Sequence, residues 1–203
     1  MIGGAEEKKN LKIDATAFRI AAAVVVFCII LCVGDTVIQC NADSQREESL
    51  NNITCFRQFT VKDFEGNTVD ESILQGYKLT VINCWETTCS PCVAEMPDLY
   101  ALSEEYQDQG VQVIGLCGDL LDGEAEVDQA IFKDALEIVD STGAAYTHLI
   151  PSSELAKGFL NYVIAFPTTI FVDEKGNEIY YTMGSRSKEE WKAVIDQKLQ
   201  ELD

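Results

Sequence analysis

Positive charge and histidine are both scarce in this chain, and each shortage removes possibilities. Against 34 Asp and Glu stand 15 Lys and Arg, for a net charge of −19. That balance argues against nucleic acid as a partner, because phosphates would be repelled rather than neutralised. A solvated, self-repelling surface is the plain reading of the charge; an electrostatic key for a basic partner is the other. The one histidine, His148, argues against His-based zinc sites and against a Cys-His nucleophile, since both need a nearby imidazole. Within its run AAYTHLI it reads as a core or strand residue. The chain carries no internal repeat and no low-complexity tract.

What is present suits a folded protein. The 203 residues are 47% hydrophobic and 24% charged, enough for one domain of usual size with an appendage. Residues 1–19, with Lys8, Lys9, Lys12 and Arg19, read as a basic cytoplasmic N-terminus. Residues 20–33, IAAAVVVFCIILCV, form an apolar run. As a helix it spans about 21 Å, short of the ~30 Å hydrocarbon core. Snorkelling by Arg19 and extension through Val37 and Ile38 make residues 20–38 a single transmembrane signal anchor. A cleaved signal peptide has the same basic and apolar regions, with Cys40-Asn-Ala42 as its cleavage site, and stays open as the alternative. Both place the remainder outside the cytoplasm, where thiols can be oxidised. Residues 39–55 are polar and aperiodic and read as a linker.

From Phe56 to Asp203 the pattern becomes that of an α/β domain. FTVKDFEGNTVDES alternates around Gly66-Asn67, a hairpin signal followed by a short helical turn. KLTVINCW and VQVIGLCGD are near-continuous apolar runs, as central parallel strands covered on both faces require. A helix over about 90–107 lies between them, with Pro97 expected to bend it. Further helices fit EAEVDQAIFKDALEIVDS, SSELAKGFLNYV and the closing SRSKEEWKAVIDQKLQEL; TTIFVDEKGNEIYYTMG reads as a strand, a turn and a strand.

The chemistry concentrates in VINCWETTCSPCVAEMP, residues 81–97, where Cys89 and Cys92 are spaced CxxC. A thiol catalyst needs a thiolate with a lowered pKa, and the N–H groups and positive dipole end at a helix N-terminus supply that. A second, less exposed thiol one turn later resolves the mixed disulfide. Half a zinc site is the rival reading, but no second closely spaced Cys or His pair completes it. Cys84 and Cys117, single cysteines on two strands, read as small buried apolar residues, with an auxiliary disulfide between the strands left open.

The block of strand, Asn83, Trp85, Cys89-Ser-Pro-Cys92, Glu95 and Pro97 resembles the active-site block of the TlpA/ResA family, membrane-tethered thioredoxin-like proteins of the bacterial envelope. The likeness runs over about residues 57–203, and IAFPTTIFVDEKGNEIYY is similar to that family's cis-proline strand and closing hairpin. The resemblance implies a thioredoxin-like fold: a central mixed sheet flanked by helices, with an N-terminal hairpin extension and a helical insertion near 119–142. It implies that Cys89 attacks and Cys92 resolves, that Trp85 packs beneath the loop, and that a cis Pro167, with Thr168 beside it, faces the pair. Cytoplasmic thioredoxins keep a buried Asp where Asn83 stands, so Glu95, one turn past Cys92, becomes the expected proton acceptor. A solvated helix glutamate is the competing reading. No cofactor and no resident metal are implied.

The function expected is that of an extracytoplasmic thiol-disulfide oxidoreductase, reducing disulfides in exported proteins at the cell membrane. By resemblance its electrons come from a membrane thiol donor of CcdA/DsbD type, and cytochrome c apoprotein is one client. A peroxiredoxin-like peroxidase would want a Thr where Glu86 stands, and a Sco-like copper carrier would want CxxxC with a distant His.

Overall fold

The structure, a computed structural model, describes residues 56–123 and 125–202. The expected N-terminus, signal anchor and linker lie outside the described residues. No helix among those described is long and apolar enough to cross a membrane.

The chain opens with the expected hairpin, β1 (Thr60–Asp63) and β2 (Thr68–Asp70), followed by a 3-10 turn at Glu71–Leu74. Its turn is built by Asp63, whose Oδ1 accepts the backbone N–H groups of Glu65 and Asn67 at 3.0 and 2.8 Å. The central strands are β3 (Leu79–Trp85) and β4 (Val111–Cys117), joined through helix α1 (Ser90–Tyr106), which continues through Pro97. Helix α2 (Gln129–Thr142) follows, then β5 (Thr147–Ile150) and the short α3 (Ser153–Lys157). Strands β6 (Thr168–Val172) and β7 (Glu178–Met183) form a second hairpin, and α4 (Lys188–Leu202) closes the chain. The second hairpin repeats the first turn: DEKGN mirrors DFEGN, with Asp173 Oδ1 accepting from Lys175 and Asn177 at 2.9 and 2.8 Å.

Two helices differ from their sequence outlines. The segment from Glu124 was expected to be helical, but α2 begins at Gln129. Asp128 accepts the N–H groups of Ala130 and Ile131 and so fixes the helix start, while Val127 bridges back to Leu121. SSELAKGFLNYV breaks at Gly158 into α3, capped by Ser152, and a 3-10 turn at Leu160–Tyr162.

The seven strands lie in the order β2-β1-β5-β4-β3-β6-β7. The β3–β4 and β4–β5 pairs are parallel, and the others antiparallel. Because side chains alternate across a strand, the sheet presents two apolar faces. Val81, Trp85 and Val113 face α1, α2 and α4, where they pack with Met96, Leu99, Ala135, Trp191 and Ile195. Ile82, Ile114, Leu116 and Ile170 face the other way, with Leu74, Leu155 and Phe159. Burial on both faces is why β3 and β4 read as unbroken apolar runs.

His148 is a core residue. Its Nε2 lies 3.0 Å from the Ala144 carbonyl, which fixes the proton on that nitrogen. Burial lowers its pKa to about 4, so the ring is neutral at physiological pH. The imidazole lies against Gly115, where a Cβ would come within 2.3 Å of Nδ1. Gly115→Ala is expected to cost about 1–3 kcal/mol by overpacking, measured as the urea unfolding midpoint of the oxidised protein.

Candidate active site

Cys89 and Cys92 are joined in a disulfide, with Cα atoms 5.3 Å apart. Sequence and backbone explain the placement. Strand β3 ends at Trp85, residues 86–88 turn the chain, and Cys89 is the N-cap of α1, with Pro91 in the first turn, where its missing N–H costs nothing. The Cys89 Sγ accepts the Cys92 backbone N–H at 3.3 Å. No acidic residue occupies the first turn of α1, so nothing there opposes a thiolate at the cap. Cys92 is fully buried, whereas Cys89 is partly exposed, the asymmetry that an attacking and a resolving thiol require.

Glu95 is not a solvated helix glutamate. It is 3% exposed and points into the core beneath the cysteine pair's helix. Its Oε1 accepts from the Asn83 side-chain amide at 2.9 Å. Its Oε2 accepts from the Arg186 backbone N–H and from the Trp191 indole N–H, each at 3.1 Å. Burial raises the Glu95 pKa, and these three hydrogen bonds with the nearby Arg186 charge oppose it without cancelling it. Asn83 therefore has a use that the sequence hid: it cannot titrate itself, but it holds the acid that can. It also donates to Thr169 Oγ1 at 3.1 Å, while its own Oδ1 is buried without a hydrogen-bond partner.

Trp85, Pro167 and Thr168 are each held by contacts of their own. The Trp85 ring is fully buried and meets His148 edge-on at 5.6 Å. Its carbonyl accepts the Gly118 N–H at 2.8 Å, tying the ends of β3 and β4 together. The Phe166-Pro167 bond is cis. Thr168 is buried, and its Oγ1 donates to the Ala165 carbonyl at 2.7 Å, bracing the turn before β6. The Phe166 ring rests on Gly118, where a Cβ would come within 3.0 Å of it.

Cys84 and Cys117 sit on neighbouring strands but opposite faces of the sheet. In register Cys84 pairs with Leu116, and Cys117 with Trp85. Cys84 belongs to the cluster of Ile82 and Ile170, Cys117 to that of Val81 and Trp85. A disulfide between them is incompatible with this sheet. The Cys117 thiol lies 3.2 Å from Asp119 Oδ1, and burial, then the Asp119 charge, push its pKa up.

A family model described as the AhpC/TSA family matches residues 54–181. The chain belongs to the AhpC/TSA family. Within it the similar relatives are thiol-disulfide oxidoreductases, and this AhpC/TSA protein is one too. It is 31% identical over 168 residues to thiol-disulfide oxidoreductase ResA of Bacillus thuringiensis subsp. konkukian, covering 82% of this chain and 89% of that one. It is 27% identical to the thioredoxin-like protein YneN of Bacillus subtilis, covering 68% and 75%. A solved structure of a thiol:disulfide interchange protein DsbE from Chlorobium tepidum superposes with a TM-score of 0.55 at 24% identity, over 70% of this chain and 93% of that one. That likeness shows the thioredoxin-like fold of the AhpC/TSA protein.

Four residues at the site escaped the sequence reading. Trp191, Arg186 and Thr169 reach it from far along the chain, and no local pattern marks them. Asp119 carried a weak signal, since it follows the end of a parallel strand, where loops gather functional groups. Its Oδ2 accepts both the backbone N–H and the hydroxyl of Thr87, at 2.9 and 2.6 Å, pinning the loop that leads into Cys89. Asp119→Ala should cost about 1.5–3 kcal/mol, the range for hydrogen bonds to a charged group, read by urea unfolding of the oxidised protein.

Proposed function

We propose that this AhpC/TSA protein is an extracytoplasmic reductase of disulfides in exported proteins, held at the bacterial cell membrane by a signal anchor over residues 20–38. The observation that carries the reading is the pairing of a partly exposed, helix-capping Cys89 with a buried Cys92, one turn from a buried carboxylate. In the reduced protein the Cys89 thiolate attacks a client disulfide. A bond forms between Cys89 and one client sulfur, and the other client sulfur leaves as a thiolate. Cys92 then loses its proton to Glu95 and attacks the Cys89 sulfur. The mixed disulfide breaks, the second client thiolate departs, and two electrons have passed to the client. The protein is left as the disulfide described above.

A raised pKa suits Glu95 to this step, because its carboxylate binds a proton nearer neutrality than a solvated one does. Reduction of the spent disulfide needs a donor dithiol, and the family resemblance supports a membrane thiol transporter of CcdA/DsbD type. The apoprotein of a cytochrome c, with a CxxCH pair to be kept reduced, is the client that this resemblance favours. The ResA relatives support the chemistry, while the direction of electron flow rests on the resemblance.

Measurements of turnover, of redox potential and of the resolving step test the reading. The dithiol-reduced protein should reduce insulin, and Cys89→Ser should abolish turnover. Peroxide consumption or tight Cu(I) retention without insulin reduction would overturn it in favour of a peroxidase or a copper carrier. The potential of the Cys89–Cys92 couple should lie near thioredoxin's, about −270 mV; a value near −120 mV, as in strong oxidants, would reverse the proposed direction. Cys92→Ser should accumulate mixed disulfide, and Glu95→Gln should slow the resolving step about a hundredfold, the scale of a lost general base. Resolution that is unchanged in Glu95→Gln from about pH 5 to 9 would remove Glu95 from the mechanism.

A further inference from the structure

The carboxylate of Glu95 is gripped unevenly. A carboxylate offers about four lone-pair sites, two on each oxygen. On Oε2 both are taken, by the Arg186 backbone N–H and the Trp191 indole N–H. On Oε1 one is taken by the Asn83 amide, and no second donor reaches it among the described residues. Arg186 does more than lend a backbone donor. Its guanidinium lies over the Trp191 ring, 5.0 Å from the centroid, and is itself held by Thr182 Oγ1 and by the Gly184 carbonyl at 3.3 Å. The position of the indole is set in turn by the start of α4. There Ser187 and Glu190 form a capping box: the Glu190 carboxylate accepts the Ser187 N–H at 2.9 Å, and Ser187 Oγ accepts the Glu190 N–H at 3.3 Å.

We propose that Trp191 and Arg186 are positioning residues that clamp Oε2 of Glu95, hold the carboxyl ready to ionise, and direct the proton leaving Cys92 to Oε1. This deepens the reading of Glu95 as the proton acceptor of Cys92 and rests on it. In the transfer the Cys92 S–H bond breaks, an O–H bond forms at Oε1, and the negative charge moves from carboxylate to sulfur. Without the clamp, a carboxyl this deeply buried would stay neutral and have no capacity to accept a proton. The clamp stabilises the ionised form against that burial.

The other groups facing this acid leave the clamp in charge. Arg186 is the cation that acts on it. From β4 the Cys117 thiol shares the buried cluster, and its raised pKa keeps it protonated. From the β5 side comes Tyr146, with the neutral His148 stacked on it. The Tyr146 hydroxyl is buried without a partner, and burial, then the Glu95 charge, raise its pKa. On α1 itself Cys92 is the one group that gives or takes a proton during turnover, and β3 contributes the neutral Asn83.

The test uses the full chain, oxidised, with glutamate carrying carbon-13 at the carboxyl. The Glu95 signal is identified by its loss in Glu95→Gln and followed by NMR against pH. Removing a donor that favours the charged form moves a carboxyl pKa up, so Trp191→Phe should raise the Glu95 midpoint by about one pH unit. Arg186→Gln keeps the backbone N–H but loses the charge, and should raise it by a smaller amount. Midpoints matching the wild type in both variants, with folded near-UV dichroism, overturn the clamp. Should Trp191→Phe fail to fold, Arg186→Gln decides alone. In the reduced protein, the pH profile of the resolving step should follow Trp191→Phe only while Glu95 is present. A further change on a Glu95→Gln background overturns the proposal. A shifted Glu95 midpoint with an unmoved resolving step sustains the clamp and refutes instead the role of Glu95 as acceptor.

Discussion

The buried carboxylate of Glu95 is the meeting point of the molecule. One carboxyl is held by a side chain from the central strand, a backbone amide from the turn after the last strand, and an indole from the closing helix. Removing an ion from water is expensive, and it is tolerated only when hydrogen bonds replace the lost solvent. Three N–H donors do so here, and each commits its own element to a fixed position. The start of α4, the register of β3 and the first turns of α1 are thereby set relative to one another around the cysteine pair.

The rest of the site hangs from the carboxyl ends of the parallel strands. The chain leaving β3 makes the loop that ends in Cys89, and the chain leaving β4 supplies Gly118 and Asp119. Gly118 lets Phe166 lie close, and Asp119 ties down Thr87. Two loops that share no sequence pattern thus cooperate because the strands beneath them are neighbours. The acidic insertion around α2 is anchored at its own cap, Asp128.

Much of this was legible in one dimension, for a reason that can be stated element by element. Cys89, Pro91 and Cys92 are a local pattern, because a helix N-terminus is a local structure. Likewise Asp63 and Asp173 fold their turns with residues two and four positions on. The paired apolar runs gave away β3 and β4, since burial on both faces leaves no polar alternation. The short β5 was harder: four residues ending a helix-to-strand connection carry too little periodicity to stand out. The environment of Glu95 was not legible at all. Its partners Arg186 and Trp191 lie 91 and 96 residues away along the chain, and a glutamate on a helix looks the same in sequence whether it faces water or an indole. The start of α2 was misplaced for a smaller reason. Val127 fits a helical stripe, but Asp128 stops the helix from extending back to it.

Cys84 and Cys117 carry a consequence for how such a chain matures. A chain with eight cysteines risks joining the wrong ones wherever thiols are oxidised. Here strand parity insulates two of them: a side chain on one face of the sheet cannot reach one on the other without a slip in register, and a slip would turn each apolar face inside out. The same core that stabilises the sheet therefore acts as a wiring rule, keeping electrons on the pair at the helix cap.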